Sequence, residues 1–462
     1  LEPPSLTWVA HQRRDQFWKH GSICEDFAAV EAAVLIIAGW GDGYRNTPLK
    51  AMAGLSAPTK ALVGPWVHKY PHFALPRPRV DFHGEALRWW DRWLRGVEND
   101  AEALPPQRAF IAEAVTPADR SARERGRWVA RDPRGDDTRV RLYLTNARAL
   151  TDTPASGQLV VDTPETCGAD GGVFFVVDPA TELPLDQRTD DELAVILETS
   201  PLTARVDVLG RTHLSLLVAV DHPQANLIAR LEDVHPDGSS HRVALGMLNL
   251  SHRLSSEFPT TMTPGELEHV EFDLDDAGYS FLAGHRIRLA LSSAYFPMVL
   301  PPPAHVRAIV SLGDKTYIDL PTPTNLDDID MPEPAEGLLP VYQQQTPSTA
   351  SRTISRSADG SSVTTTIASD TGEVIHPTNG MVWRETHESV STIDAADPLS
   401  FECVETVTVA RQRAAVGTRA VAKCRLTASA VAWHIEAEVT ASDDDGVVFE
   451  RTWQGDIERD HQ

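Results

Sequence analysis

The chain has 462 residues, and its 42 Lys and Arg against 66 Asp and Glu leave a formal net charge of −24. That balance excludes a sequence-independent grip on nucleic-acid phosphates, which requires a basic face. With 42% hydrophobic and 23% charged residues the composition is that of folded domains, about two to four of them at ordinary domain size.

The longest wholly apolar run, Ala32–Ala38, is far shorter than the ~20 residues that cross a bilayer, so no membrane partner is expected. The opening Leu1-Glu2-Pro3-Pro4 has no initiator Met and no basic region followed by an apolar one. The expectation is a processed or incomplete chain, without a signal peptide, in the cytoplasm. Cys24, Cys167, Cys403 and Cys424 form no C-x-x-C spacing and are expected as buried free thiols, although Cys403 and Cys424 could lie on neighbouring strands.

Three regimes follow one another. Residues 1–105 hold seven of the eleven Trp and all the helix-like patterns. Val34–Ala38 is apolar on both faces, as in a parallel sheet covered by helices, and runs into Gly39-Trp40-Gly41-Asp42-Gly43. Thr47–Leu55 reads as a helix with Thr47 as cap and Pro48 as first helical residue. The strand Lys60–Val63 then leads into Gly64-Pro65-Trp66-Val67-His68, completing a βαβ unit. Gly84–Gly96 reads as an amphipathic helix with Leu87, Trp90 and Leu94 on its apolar face and Trp89, Trp90 and Trp93 packing between domains.

Residues 106–345 alternate with period two. Val140, Leu142 and Leu144 oppose Arg139, Arg141 and Tyr143, and Ile287, Leu289 and Leu291 oppose Arg286, Arg288 and Ala290. With turns such as Pro236-Asp237-Gly238 this predicts an antiparallel sandwich or jelly roll, closed by a proline-rich linker or strap at 322–347. Residues 346–462 alternate likewise, as in Trp433, Ile435, Ala437 and Val439, and hairpin turns are expected at Ala358-Asp359-Gly360 and Asp370-Thr371-Gly372. The expected fold is thus α/β plus all-β: an α/β part, a jelly roll and a small antiparallel β-domain.

Catalytic groups of open parallel sheets sit in loops beyond the carboxyl ends of the strands. Asp42 and His68 occupy that position after two successive strands, and an Asp that orients a His is half of an acyl-transfer triad. Read singly, each is an ordinary turn or loop residue.

The words around them, Gly39-Trp40-Gly41-Asp42-Gly43-Tyr44 and Gly64-Pro65-Trp66-Val67-His68, resemble the G-W-x-D and G-P-W-x-H motifs of the CocE/NonD family of α/β-hydrolases. Phe17-Trp18, the helix Trp89–Gly96, Leu231–Gly238, Gly284–Leu289 and the stretch Phe449–Asp460 look like further family segments in the family's order. The resemblance implies a serine-type acyl hydrolase of esters or X-Pro dipeptides, with Asp42 and His68 as catalytic residues, no cofactor and no metal. It also implies a departure. The family's serine elbow lies well upstream of its Asp, whereas only 41 residues precede Asp42, and Ser5, Ser22 and Ser56 stand in no such elbow. The chain looks like the C-terminal two-thirds of such an enzyme. The expected partners are a small ester, amide or peptide and an N-terminal segment or second chain that covers the exposed sheet edge, with a homo-oligomer left open. The alternative from another class is a non-catalytic β-rich binding or assembly module.

Metal ligation reads weakly. His68 and His72 are separated by Pro71, His83-Gly84-Glu85 has no third ligand, and neither Asp443-Asp444-Asp445 nor Asp327-Asp328 has full Ca²⁺-loop spacing.

Overall fold

The computed structural model describes residues 3–117, 123–334 and 342–461. Two short helices, α1 (Pro4–Ala10) and α2 (Gln16–Lys19), precede β1 (Val34–Gly39). Helix α3 (Thr47–Gly54) returns the chain to β2 (Thr59–Gly64), which pairs in parallel with β1 from Val34 opposite Thr59 to Gly39 opposite Gly64. The predicted strand–helix–strand unit is therefore present. Its cap differs, because Asn46 stands where Thr47 was expected. The Asn46 side chain makes no cap bond; it accepts from the Asp276 amide and donates to Asp275 instead.

Helix α4 (Phe82–Arg95) starts at Asp81, whose side chain accepts from the Gly84 amide, and stops at Gly96, which takes the left-handed conformation. Its buried face is not the expected one. Leu87, Trp90 and Leu94 are 56%, 55% and 78% exposed, while Glu85, Ala86 and Trp89 are buried. The reason is electrostatic. Arg108, on β3 (Gln107–Glu113), donates through both terminal nitrogens to the two Glu85 carboxylate oxygens at 2.9 and 2.7 Å. A buried bidentate pair of this kind fixes the helix rotation more strongly than one apolar face. Trp89 and Trp93 still pack together, with ring centroids 5.8 Å apart.

The second regime supplies β4 (Gly126–Arg131), β5 (Arg139–Leu144), β6 (Leu150–Thr151), β7 (Gly157–Asp162) and β8 (Val195–Glu198). It continues with β9 (Val206–Val220), β10 (Asn226–Val234), β11 (Ser240–Asn249) and β12 (Glu268–Phe281). It closes with β13 (Arg286–Ser292), β14 (Arg307–Leu312), β15 (Tyr317–Pro321) and β16 (Asp327–Ile329). Two one-turn helices, Pro179–Glu182 and Arg188–Asp191, lie in this regime, outside the part of the chain where helices were expected.

A twelve-stranded sheet runs β1-β2-β3-β12-β9-β15-β5-β6, with β4 and β16 attached beside β3, and β14 and β7 beside β9. The four-stranded sheet β11-β10-β13-β8 faces it, and one buried apolar cluster draws on both, from Leu214 and Leu216 to Leu227, Leu289 and Leu291. β3 pairs in parallel with both β2 and β12, so one hydrogen-bonded sheet crosses position 105/106. β1, at the outer end, has its Val34–Ala38 side chains only half-buried, short of the double-sided burial expected of them, because a single strand flanks it.

β13 departs from the expected one-sided alternation. Arg288 and Ala290 are buried as well as Leu289 and Leu291, since the segment that carries Cys167, Gln187 and Leu193 covers the outer face of this sheet. The charges are paired there: Arg288 with Asp191 and Glu198, and the fully buried Arg230 with Asp191 and Glu232.

A nine-stranded antiparallel sheet runs from Gln343–Gln344 to Gly446–Glu458. Trp433, Ile435 and Ala437 turn inward and Glu436 and Glu438 outward. Ala358-Asp359-Gly360 makes the expected hairpin, but Asp370-Thr371-Gly372 does not. The strands on either side of the latter, Ser362–Asp370 and Val374–Ile375, both pair with Val382–Asp394 and not with each other. The stretch expected as a linker includes β16, which pairs with β4; positions 335–341 of it lie outside the described residues. Cys403 and Cys424 occupy neighbouring strands two positions out of register and are free thiols; Cys167 is buried, while Cys24, Cys403 and Cys424 are half-buried rather than fully enclosed. Among the described residues no helix is long and apolar enough to cross a membrane.

Candidate active site

β1 and β2 end side by side at Gly39 and Gly64, and the next residues of both strands crowd against Trp66. A Cβ on Gly39 would stand 2.0 Å from the Trp66 carbonyl oxygen, and one on Gly64 2.5 Å from its ring, so only glycine fits at either place. The buried Trp66 indole donates to the Pro78 carbonyl. This packing turns both loops to the same rim of the sheet.

There Asp42 and His68 meet. His68 Nδ1 lies 3.0 Å from Asp42 Oδ2, while the other Asp42 oxygen accepts from the Tyr44 amide at 2.9 Å. Asp42 is buried, but the His68 side chain is 44% exposed. A carboxylate at Nδ1 holds the ring proton there and leaves the Nε2 lone pair facing outward. Among the described residues Nε2 makes no hydrogen bond.

The sandwich completes the setting. The His68 amide donates to the Val176 carbonyl, and the imidazole packs against Phe175 at a centroid distance of 4.3 Å and against Tyr44 at 5.8 Å. Below Asp42, Arg45 donates to the Asp42 carbonyl, to Asp275 Oδ2 and to the Phe174 carbonyl. Burial lowers the Arg45 pKa, and Asp275 acts against that. A concavity of about 490 Å³ opens beside the pair, lined by Trp66, Tyr70, Phe73 and Phe82 as well as Asp42 and His68. None of the three candidate serines lines it. Ser22 donates to the Trp18 carbonyl, Ser5 bonds Cys424, and Ser56 lines another hollow beside Trp89 and Trp93.

Tyr44, Phe174, Phe175 and the Val176 carbonyl were not singled out from the sequence, and Tyr44 was quoted only as the end of the Gly39–Tyr44 motif. The aromatic pair Phe174-Phe175, partly exposed in a loop, was the available signal, but nothing local ties it to a histidine more than 100 positions earlier. The residues weighed and set aside as metal ligands have other neighbours. His72 stacks on Phe82 and lies tilted against His83, and Glu85 is held by Arg108. Among the described residues one group of three His, Cys, Asp or Glu side chains converges closely enough for a metal, Asp233, His235 and His285; they lie in the segments Leu231–Gly238 and Gly284–Leu289, which the sequence marked for the family resemblance and not as ligands.

Comparison with known proteins shows which chains share this architecture. Residues 2–70 match the X-Pro dipeptidyl-peptidase (S15 family) model, and residues 99–325 match the X-Pro dipeptidyl-peptidase C-terminal non-catalytic domain. The chain belongs to the CocE/NonD-like X-Pro dipeptidyl-peptidase family. It is 26% identical over 314 residues to the cocaine esterase of Rhodococcus sp., covering 63% of this chain and 53% of that one. It is 24% identical over 345 residues to the Xaa-Pro dipeptidyl-peptidase of Lacticaseibacillus rhamnosus, covering 64% of this chain and 41% of that one. The chain thus spans about half the length of the curated relatives it matches. Among solved structures it resembles an α-amino acid ester hydrolase, with TM-score 0.56, 19% identity, and 69% and 60% of the two chains covered. A CocE/NonD family hydrolase from Staphylococcus aureus gives TM-score 0.51, 14% identity, and 69% and 59% coverage. At these identities the structural likeness concerns the fold.

Proposed function

We propose that this chain is the Asp- and His-bearing part of a serine-type acyl hydrolase acting on small esters or on N-terminal X-Pro dipeptides. The observation that carries the reading is the 3.0 Å contact between His68 Nδ1 and a buried Asp42 at the ends of adjacent parallel strands, both residues lining one concavity. In this reading Asp42 fixes the tautomer and stabilises the imidazolium, and His68 Nε2 takes the proton of a serine as it attacks the carbonyl, then returns it to the leaving group. The serine and the oxyanion donors come from a segment outside these 462 residues, either an N-terminal part of the same gene product or a second polypeptide.

That segment docks on the free edge of β1. Val34–Ala38 is wholly apolar yet half-buried, and Leu87, Trp90 and Leu94 of α4 are exposed. Such an edge, left bare, templates aggregation. Residues 106–345 read as a jelly roll that buttresses the Asp42 loop through Asp275 and lends Phe175 to the site, with 346–462 as a separate small β-domain. Unpaired thiols suit a cytoplasmic setting.

The test is the intact mass of the native gene product, combined with fluorophosphonate labelling and hydrolysis of a p-nitrophenyl ester. A larger species, or a co-purifying fragment, that labels on serine and hydrolyses the ester is expected. If the 462-residue chain is the whole product, is folded, and neither labels nor hydrolyses, the hydrolase reading falls and a binding or assembly module replaces it.

A further inference from the structure

At the Val234 end of β10, outside the Asp42–His68 concavity, three metal-ligating side chains converge. Asp233 is the penultimate residue of β10 and fully buried; His235 lies just past that strand, and His285 just before β13. His285 Nδ1 stands 2.9 and 3.0 Å from the two Asp233 oxygens, and His235 Nε2 stands 3.3 Å from Oδ2. All three donor atoms lie within 4.8 Å of one another.

Two features are left unexplained by a hydrogen-bonded network alone. Tyr279 donates to Asp233 Oδ2 at 2.7 Å and His285 bonds both oxygens, so the carboxylate is satisfied without His235. His235 Nε2 is nevertheless buried against it with no hydrogen bond of its own. Moreover, the ion-pair partners of Asp233 among the described residues are these two imidazoles, so a buried carboxylate has no permanent cation beside it. A buried charge of that kind calls for a paired cation or a metal.

We propose that Asp233, His235 and His285 form a binding site for a divalent transition-metal ion, Zn²⁺ by the chemistry of its donors. Two imidazoles and a carboxylate are a set this ion favours over Mg²⁺ or Ca²⁺, which take oxygen ligands. With bonds of about 2.0–2.2 Å, the donors of a tetrahedral Zn²⁺ stand about 3.3–3.5 Å apart. The Asp233–His235 pair already has that spacing, and the Asp233–His285 contacts need to open by only about half an ångström. Tyr279 serves as the outer donor that orients the carboxylate. Because Tyr279 is on β12 and the three ligands flank β10 and β13, the ion ties the two sheets of the sandwich together at this end. Asp186 and Asp237 lie near enough to His235 to add negative potential.

The probe is Co²⁺, added to the full chain after chelator treatment and followed by its visible d–d absorption, with Zn²⁺ as competitor in calorimetry. Expected are one saturating equivalent of Co²⁺ with a tetrahedral-type spectrum, its displacement by Zn²⁺, and a loss of affinity of about tenfold or more in His235→Gln, checked for folding by circular dichroism. His72→Ala, which is not one of the three converging residues, retains binding. Absence of saturable binding by the unaltered chain overturns the proposal whatever the variants do, and so does full binding by folded His235→Gln. Either result leaves the hydrolase reading untouched, since none of these residues lines the Asp42–His68 concavity.

Discussion

Arg45 and Asp275 are 230 positions apart in the chain and 2.7 Å apart in space. The contact joins the loop that carries Asp42 to the sandwich strand β12, and Asn46 doubles it by donating to the other Asp275 oxygen. Asp42 is therefore held from beneath by a residue far outside the βαβ unit. In the complete enzyme, Asp275→Asn should lower kcat by about ten- to a hundredfold with KM nearly unchanged, since a shift of about 1 Å in a catalytic group costs about that much. Steady-state kinetics on a p-nitrophenyl ester decides this. Unaltered kcat in a folded variant means that the sandwich does not position the Asp42 loop.

Replacing the two site residues themselves should be far more severe. In the proposed reading His68→Ala removes the base and Asp42→Asn leaves the ring without a carboxylate to hold its tautomer, so losses of about 10⁴-fold in kcat are expected for either. His68 is partly exposed, so His68→Ala should keep the melting temperature of the parent. Turnover close to the parent's in both variants removes Asp42 and His68 from the chemistry.

Gly39→Ala tests the packing that aims the two loops. The new methyl would lie 2.0 Å from a backbone oxygen, a neighbour that cannot rotate away, so the end of β1 must separate from Trp66. Destabilisation of about 1–3 kcal/mol or more in urea denaturation is expected, as for an overpacked core. Gly96→Ala is the contrast, since a Cβ there meets open space and only its left-handed backbone resists.

Glu165 makes stability depend on pH. Burial pushes its carboxyl up to about 7, against the opposing pull of His305, whose Nδ1 lies 3.0 Å from Oε1. In the unfolded chain the group ionises near about 4.3. Between those values the folded protein holds a proton that the unfolded chain has lost. Stability therefore falls as pH rises from about 4.5 to about 7, and is fully present only below the lower value. Glu165→Gln keeps an acceptor for His305 but cannot ionise. It should melt above the parent at pH 8, by at most about 3 kcal/mol of stability, and the two should converge near pH 4.5. Thermal melts across that range check the sign; a constant difference at all pH values contradicts it.

The βαβ unit was legible because its evidence is local. An apolar run, a glycine-rich break, a helical stretch and a second apolar run fall within thirty-five residues, and parallel pairing then brings Asp42 and His68 to one rim. Period-two alternation likewise revealed the strands of both β-rich regimes. It failed at β13, where a remote segment covers the outer face and turns an expected solvent side into a buried ionic network.

By itself, then, the sequence determined which regimes are rich in strand, which two residues could form an Asp–His pair, and that none of Ser5, Ser22 and Ser56 stands in the family's serine elbow. Tertiary structure alone decided the rest. The rotation of α4 depends on Arg108, which is not in the helix; the face of His68 depends on Phe175, contributed by a loop of the sandwich; and the seat of Asp42 depends on Asp275. Periodicity reports the contacts a residue makes with its chain neighbours' environment, whereas a buried ion pair or a ring contact joins positions whose separation in sequence carries no information about their distance in space.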